Sequence, residues 1–83
     1  MHLVIAKIDE VFFDGEAKSL TAPGAEGELT VLSHHEPLIT TLKEGVLTVR
    51  PAAFDPANDG RPLQFPIAGG LLEVRPEGAT VIL

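Results

Sequence analysis

Two adjacent histidines and a carboxylate, His34-His35-Glu36, are the residues of this sequence best suited to chemistry. Imidazole nitrogens and a carboxylate could bind zinc or act as acid and base. Neighbouring side chains of an extended segment point to opposite sides, however, so His34 and His35 do not easily share one metal ion. The only other histidine is His2. We therefore predict a solvated loop with no metal, catalytic residue or cofactor. The alternative is a small metal-binding domain or metal-dependent enzyme that uses the three histidines and Glu36.

A second pair of carboxylates, Glu26 and Glu28, flanks Gly27. The two could serve as acid and base, but they lie in a segment rich in Gly and Pro, which favours a solvated turn. The glycines of the chain do not form a phosphate-binding loop, because none opens a helix after a strand and no Gly-Lys-Ser/Thr follows. We expect these glycines to serve turns and close backbone approaches.

Length and composition limit the class of protein. Eighty-three residues predict one small domain, residues 1–83. Twelve acidic against six basic residues give a net charge of −6, which argues against nucleic-acid partners and against anionic lipid surfaces. No stretch approaches the ~18–20 apolar residues of a membrane span, so we expect no direct membrane insertion. The absence of cysteine excludes disulfides and thiolate metal sites.

The hydrophobic pattern predicts β-strands along the whole chain. No stretch of ~12 residues has helical periodicity free of Gly or Pro. Turn signals include Asp14-Gly15, Gly69-Gly70 and a proline-rich segment, residues 51–62. The pattern is typical of an all-β antiparallel sandwich or barrel. The predicted strands span residues 2–9, 11–13, 16–21, 29–32, 38–42, 46–50, 64–68, 71–75 and 80–83.

Two neighbouring aromatic residues, Phe12 and Phe13, fall on one of these predicted strands. Successive side chains of a strand point to opposite faces. We therefore expect one of the two rings to face the core and the other to face away from it.

Five motifs occur in order along the chain: Phe13-Asp14-Gly15, Gly24-Ala25-Glu26-Gly27-Glu28-Leu29, His35-Glu36-Pro37-Leu38, Lys43-Glu44-Gly45 and Ala68-Gly69-Gly70-Leu71-Leu72-Glu73-Val74. This ordered set resembles the epsilon subunit of F-type ATP synthases over nearly all 83 residues. The sequence departs from the family pattern at Ser33-His34, where a Pro-Gly pair is usual, and at Thr30, where a Gly is usual. The loop of residues 51–62 is longer and richer in proline than in the family.

The resemblance implies a flattened antiparallel β-sandwich of about ten short strands. It also implies a non-catalytic rotor subunit that binds the gamma subunit and the c ring, and couples proton flow to ATP synthesis. Its location would be the cytoplasmic face of the bacterial inner membrane, peripheral through the complex. By position, the c ring would contact Glu26, Gly27 and Glu28, and gamma would contact Lys7, His35 and Thr40.

The family usually continues beyond this last strand into a two-helix hairpin. The resemblance therefore leads us to expect either a naturally short form or a chain cut at the domain boundary. A free-standing all-β interaction module with an unrelated partner remains a second alternative.

Overall fold

The computed structural model describes all 83 residues, as eight strands and one short 3-10 helix, Pro56–Asn58. Neither this turn nor any other part of the chain forms a helix with the length and apolar character of a membrane span. The strands are β1 His2–Lys7, β2 Glu10–Gly24, β3 Gly27–Leu32, β4 Leu38–Leu42, β5 Gly45–Pro51, β6 Leu63–Ile67, β7 Gly70–Arg75 and β8 Gly78–Ile82.

The eight strands form one continuous hydrogen-bonded sheet that folds into the two layers of a sandwich, and the long strand β2 takes part in both layers. Its first half pairs with β1, and β8, β7 and β4 follow in that order; we call these strands the first sheet. Its second half pairs with β3 on one edge and with β5 on the other, and β6 lies beyond β5; these strands form the second sheet. The all-β sandwich prediction is confirmed, with eight strands where the family resemblance implied about ten.

One core cluster of fourteen buried apolar residues is built from both sheets. Alternation along the strands explains it, since inward positions carry apolar side chains in β5 and β7, for example Leu47 and Val49, or Leu72 and Val74. The eight large side chains that are fully buried are Leu3, Ile5, Leu20, Val31, Leu47, Val49, Leu72 and Val81.

One strand pair differs from the antiparallel arrangement expected. Strands β1 and β8 run parallel, with a register from His2 opposite Gly78 to Ala6 opposite Ile82. They come from opposite ends of the chain, so no hairpin fixes their relative direction. All other pairs are antiparallel.

The turn predicted at Asp14-Gly15 is wrong, because β2 runs through these residues without a break. The ladder with β1 accounts for this, since Asp14 lies opposite Val4 and Gly15 opposite Leu3. Cross-strand pairing on both sides of a turn signal outweighs its local propensity. The chain instead reverses at Ile8-Asp9.

The prediction that Phe12 and Phe13 face opposite sides is also wrong. Ile5 lies opposite Phe13 but Ala6 lies opposite Val11, so Phe12 is the extra residue of a β-bulge. A bulge interrupts the period of two along a strand. Both rings are consequently half-buried and pack against the core.

Candidate partner-binding surfaces

The tip of the β2–β3 hairpin carries the two carboxylates that the sequence singled out. Glu26, Gly27 and Glu28 are all exposed there. Gly27 has a φ of 136°, which side-chain-bearing residues rarely adopt. The carboxylates of Glu26 and Glu28 take part in none of the ion pairs of the molecule. The tip therefore presents two negative charges that a partner could meet.

Backbone contacts with β4 fix the position of this tip. The amide of Ala25 donates to the carbonyl oxygen of Thr41 at 2.9 Å, and the amide of Lys43 donates to that of Pro23 at 2.9 Å. Gly24 is buried opposite Leu42, and a Cβ on it would come within 2.7 Å of the carbonyl oxygen of Gly27. The close approach that places the tip thus requires a glycine.

Thr40 lies beside the tip rather than at a separate site. It lines a shallow depression of 240 Å³ at the open edge between β3 and β4. The resemblance assigned Thr40 to gamma and the tip to the c ring, so the structure places residues of both assignments next to each other. The residues of the depression are Gly24, Glu26, Gly27, Glu28, Leu29, Leu38 and Thr40.

The other two residues assigned to gamma lie elsewhere. Lys7 ends β1, three strands away from β4 in the first sheet, with its Nζ 5.8 Å from the centre of the Phe12 ring. His35 lies in the β3–β4 connection, where its Nδ1 is 2.7 Å from the carbonyl oxygen of Glu36. The structure therefore does not bring Lys7, His35 and Thr40 into one cluster.

The histidines do not assemble a metal site. No group of three or more His, Asp or Glu side chains is arranged to hold a metal ion. His2 instead faces two carboxylates of β2, with its Nε2 2.8 Å from Oδ1 of Asp14 and its Nδ1 3.6 Å from Oε1 of Glu16. The metal-dependent alternative therefore has no preformed ligand set in this fold.

An apolar band crosses the outer face of the first sheet, and sequence reasoning missed it. The band consists of Val11, Ala6, Ile82 and Leu71, which lie opposite one another on β2, β1, β8 and β7. Val11 is 62% exposed, Ile82 55% and Leu71 40%. A contiguous exposed apolar surface is typical of a protein interface. The only signal in the sequence is that these outward positions carry apolar residues where an exposed face would carry polar ones.

Comparison with known proteins supports a particular class of β-sandwich. A family model described as the ATP synthase delta/epsilon chain β-sandwich domain matches residues 1–83. An ATP synthase epsilon chain of Caulobacter vibrioides is 38% identical over 82 residues, which cover 99% of this chain and 87% of that one. Epsilon chain 1 of Methylococcus capsulatus is 34% identical over 82 residues, covering 99% and 54%.

Solved structures give the same picture. A chain from the Euglena gracilis mitochondrial ATP synthase, in an assembly of OSCP, F1 and c-ring, superposes with a TM-score of 0.83 at 26% identity. The match covers 99% of this chain and 49% of that one. A chain from the Tetrahymena thermophila mitochondrial ATP synthase central stalk and c-ring gives 0.77 at 20% identity, which supports the fold alone.

The fold is thus that of an ATP synthase β-sandwich domain. The chain belongs to the delta/epsilon-chain family of ATP synthases, and its curated relatives are epsilon chains, which are non-catalytic subunits of the complex. It spans most of the Caulobacter relative and about half the length of several others.

Proposed function

We propose that this β-sandwich is part of the rotor of a proton-translocating F-type ATP synthase, where it binds gamma and the c ring. Through these contacts, rotation of the ring would turn gamma and couple proton flow to ATP synthesis. The observation that carries the proposal is the family match over all 83 residues. The location that follows is peripheral, at the cytoplasmic face of the bacterial inner membrane. A solved relative from a mitochondrial assembly that contains the c-ring supports the peripheral position.

The c-ring contact is assigned to the hairpin tip, Glu26, Gly27 and Glu28. Two unpaired carboxylates on a tip fixed by β4 are suited to meeting polar or basic loops. An exposed ion pair contributes only ~0–1 kcal/mol, so the tip would set the register of the contact more than its strength.

The gamma contact is assigned to a broader surface. Transmission of torque favours an extensive preorganised interface over a few strong groups. The apolar band offers such a surface, and Lys7 follows the band residue Ala6 directly on β1. His35 and Thr40 remain assigned to gamma by their position in the family pattern.

Calorimetric titration of the chain into purified cognate gamma tests this function. Saturable one-to-one binding of micromolar affinity or better is expected. A folded cognate gamma that shows no binding would mean that the likeness extends to the fold and not to the role. The metal-dependent alternative is tested separately, by metal analysis of protein purified without chelator.

A further inference from the structure

A small cavity beside the proline-rich loop gathers positive charge in an otherwise acidic protein. The cavity has a volume of 160 Å³ and lies between β2, β5 and the segment that leads to β6. Lys18, Arg50 and Arg61 line it. These are three of the six basic residues of a chain whose net charge is −6. The charge of the cavity is thus opposite to that of the whole molecule.

None of these three cations forms an ion pair within the protein. Arg75 pairs with Glu73 at 2.9 Å and with Glu77 at 3.0 Å, but Lys18, Arg50 and Arg61 form no ion pair. All three residues are exposed, so an anion that enters the cavity can reach them from solvent. The arrangement therefore favours an anion in the cavity.

The loop holds two of the groups around the cavity in place. Nε of Arg61 donates to the carbonyl oxygen of Asn58 at 3.1 Å, and Nδ2 of Asn58 donates to that of Arg61 at 2.9 Å. The one carboxylate lining the cavity, on Asp55, accepts the amide of Ala57 at 3.0 Å through Oδ1, as the cap of the 3-10 turn. The loop thus fixes the backbone of Arg61 and gives the Asp55 carboxylate a partner of its own.

We propose that this cavity binds a phosphate group. Two guanidinium forks and one ammonium match the charge and tetrahedral oxygens of a phosphate dianion better than those of a planar carboxylate with a single charge. The volume of 160 Å³ is large enough to admit a phosphate group. The rest of a phosphate-bearing molecule would lie against Phe54, which lines the cavity, is 70% exposed and packs on Gly60.

Nuclear magnetic resonance titrations test the proposal with the intact chain, at constant ionic strength held with sodium chloride. Inorganic phosphate should produce saturable amide shifts confined to Lys18, Arg50 and residues 51–62. Parallel titrations with adenosine monophosphate and with phosphatidylglycerol vesicles identify the source of the phosphate. Tighter binding of the nucleotide, with shifts at Phe54, indicates an organic phosphate, and binding to vesicles alone indicates a lipid headgroup.

Charge-matched variants make the test specific. Arg50→Gln combined with Arg61→Gln should weaken binding by about tenfold or more, as the loss of a charge-assisted pair predicts. Lys18 lies in β2, outside the loop, and Lys18→Gln should weaken phosphate binding as well. Lys43→Gln removes the same charge from the β4–β5 turn and should change binding by less than about twofold. Equal weakening by Lys43→Gln, or the absence of saturable local shifts with all three probes, would overturn the proposal.

Discussion

The imidazole of His2 lies between Asp14 and Glu16 of the neighbouring strand, and the amino group of Met1 lies 3.4 Å from Glu16. These side chains are half exposed or more, apart from that of Met1. Exposed ion pairs contribute little because water and salt screen them. His2, although histidine is a common catalytic residue, therefore forms only a polar cross-strand contact with β2 at the start of β1.

Gly78 is the residue at which the parallel β1–β8 pair is most sensitive to substitution. A Cβ at this position would overlap the carbonyl oxygen of His2 on β1, and a backbone atom cannot move aside as a flexible side chain can. We expect Gly78→Ala to lower the free energy of unfolding by ~1–3 kcal/mol, in the range of overpacked sites. Urea denaturation followed by circular dichroism measures the change.

Gly15→Ala is the matched control for that variant. Gly15 also lies in a strand next to β1, but the nearest atoms to an added Cβ belong to the Phe13 ring, at 3.8 Å and 3.9 Å. The free energy of unfolding of Gly15→Ala should stay within about 0.5–1 kcal/mol of that of the parent protein. Equal losses in the two variants would show that the effect comes from glycine replacement in general and not from the contact with His2.

Glu28 tests the proposed contact of the hairpin tip with the c ring. We expect Glu28→Gln to weaken binding to a purified c ring by up to about fivefold at low salt, because an exposed pair contributes at most ~1 kcal/mol. The difference should shrink at high salt as the charges are screened. Surface binding measurements at two salt concentrations give both values.

Glu10→Gln removes the same charge from an exposed position at the start of β2, which lies away from the tip. It should leave binding to the c ring unchanged. If Glu10→Gln weakens binding as much as Glu28→Gln does, net charge rather than the tip determines the contact.

At the scale of the elements, regular alternation made some strands predictable and local irregularities hid others. Strand β4 was predicted with its observed bounds, and β5 and β7 to within one residue at each end. Strand β2 was divided in the prediction because turn signals inside it, at Asp14-Gly15 and Pro23-Gly24, are overridden by pairing with neighbouring strands. The bulges at Phe12 and near Lys18 could not be predicted from the sequence either, because a bulge depends on the register with the partner strand.

Among the candidate surfaces, too, only those marked by a local sequence signal could be predicted. The hairpin tip could be located from sequence because a Gly flanked by carboxylates between two strands is a local signal. The nearness of Thr40 to this tip depends on the contact between Gly24 and Leu42, which joins distant parts of the chain. The apolar band depends on the register of β8 between β1 and β7, which no local pattern specifies.

The apolar band allows a direct test of the proposed gamma interface. We expect Leu71→Lys combined with Ile82→Lys to reduce affinity for gamma by at least about tenfold, because two neighbouring exposed side chains of the band would carry charge into the interface. The fold should persist, since both side chains already face solvent. Calorimetry with purified gamma measures the affinity.

Leu32→Lys is the control for the band, because Leu32 is also exposed but ends β3 in the second sheet. Its affinity for gamma should match that of the parent. An unchanged affinity in the double variant would mean that gamma docks on another face and that the band is covered by something else.

For the molecule as a whole, stability depends on one small hydrophobic core. Fourteen apolar residues form a single buried cluster, to which strands of both sheets contribute. A domain of this size buries only about 60% of the surface that its unfolded chain exposes. Because β2 lies in both sheets, loss of one sheet removes pairing partners and core contacts from the other.

This shared strand leads us to propose that residues 1–83 unfold as one domain in a single transition. The enthalpy of unfolding should be about 60 kcal/mol near 60 °C, from ~0.7 kcal/mol per residue. Differential scanning calorimetry should give equal calorimetric and van't Hoff enthalpies, as a two-state domain does. A calorimetric value well above the van't Hoff value, or two separate transitions, would show that the sheets unfold independently. In that case β2 would act as a hinge between two units instead of joining them in one cooperative core.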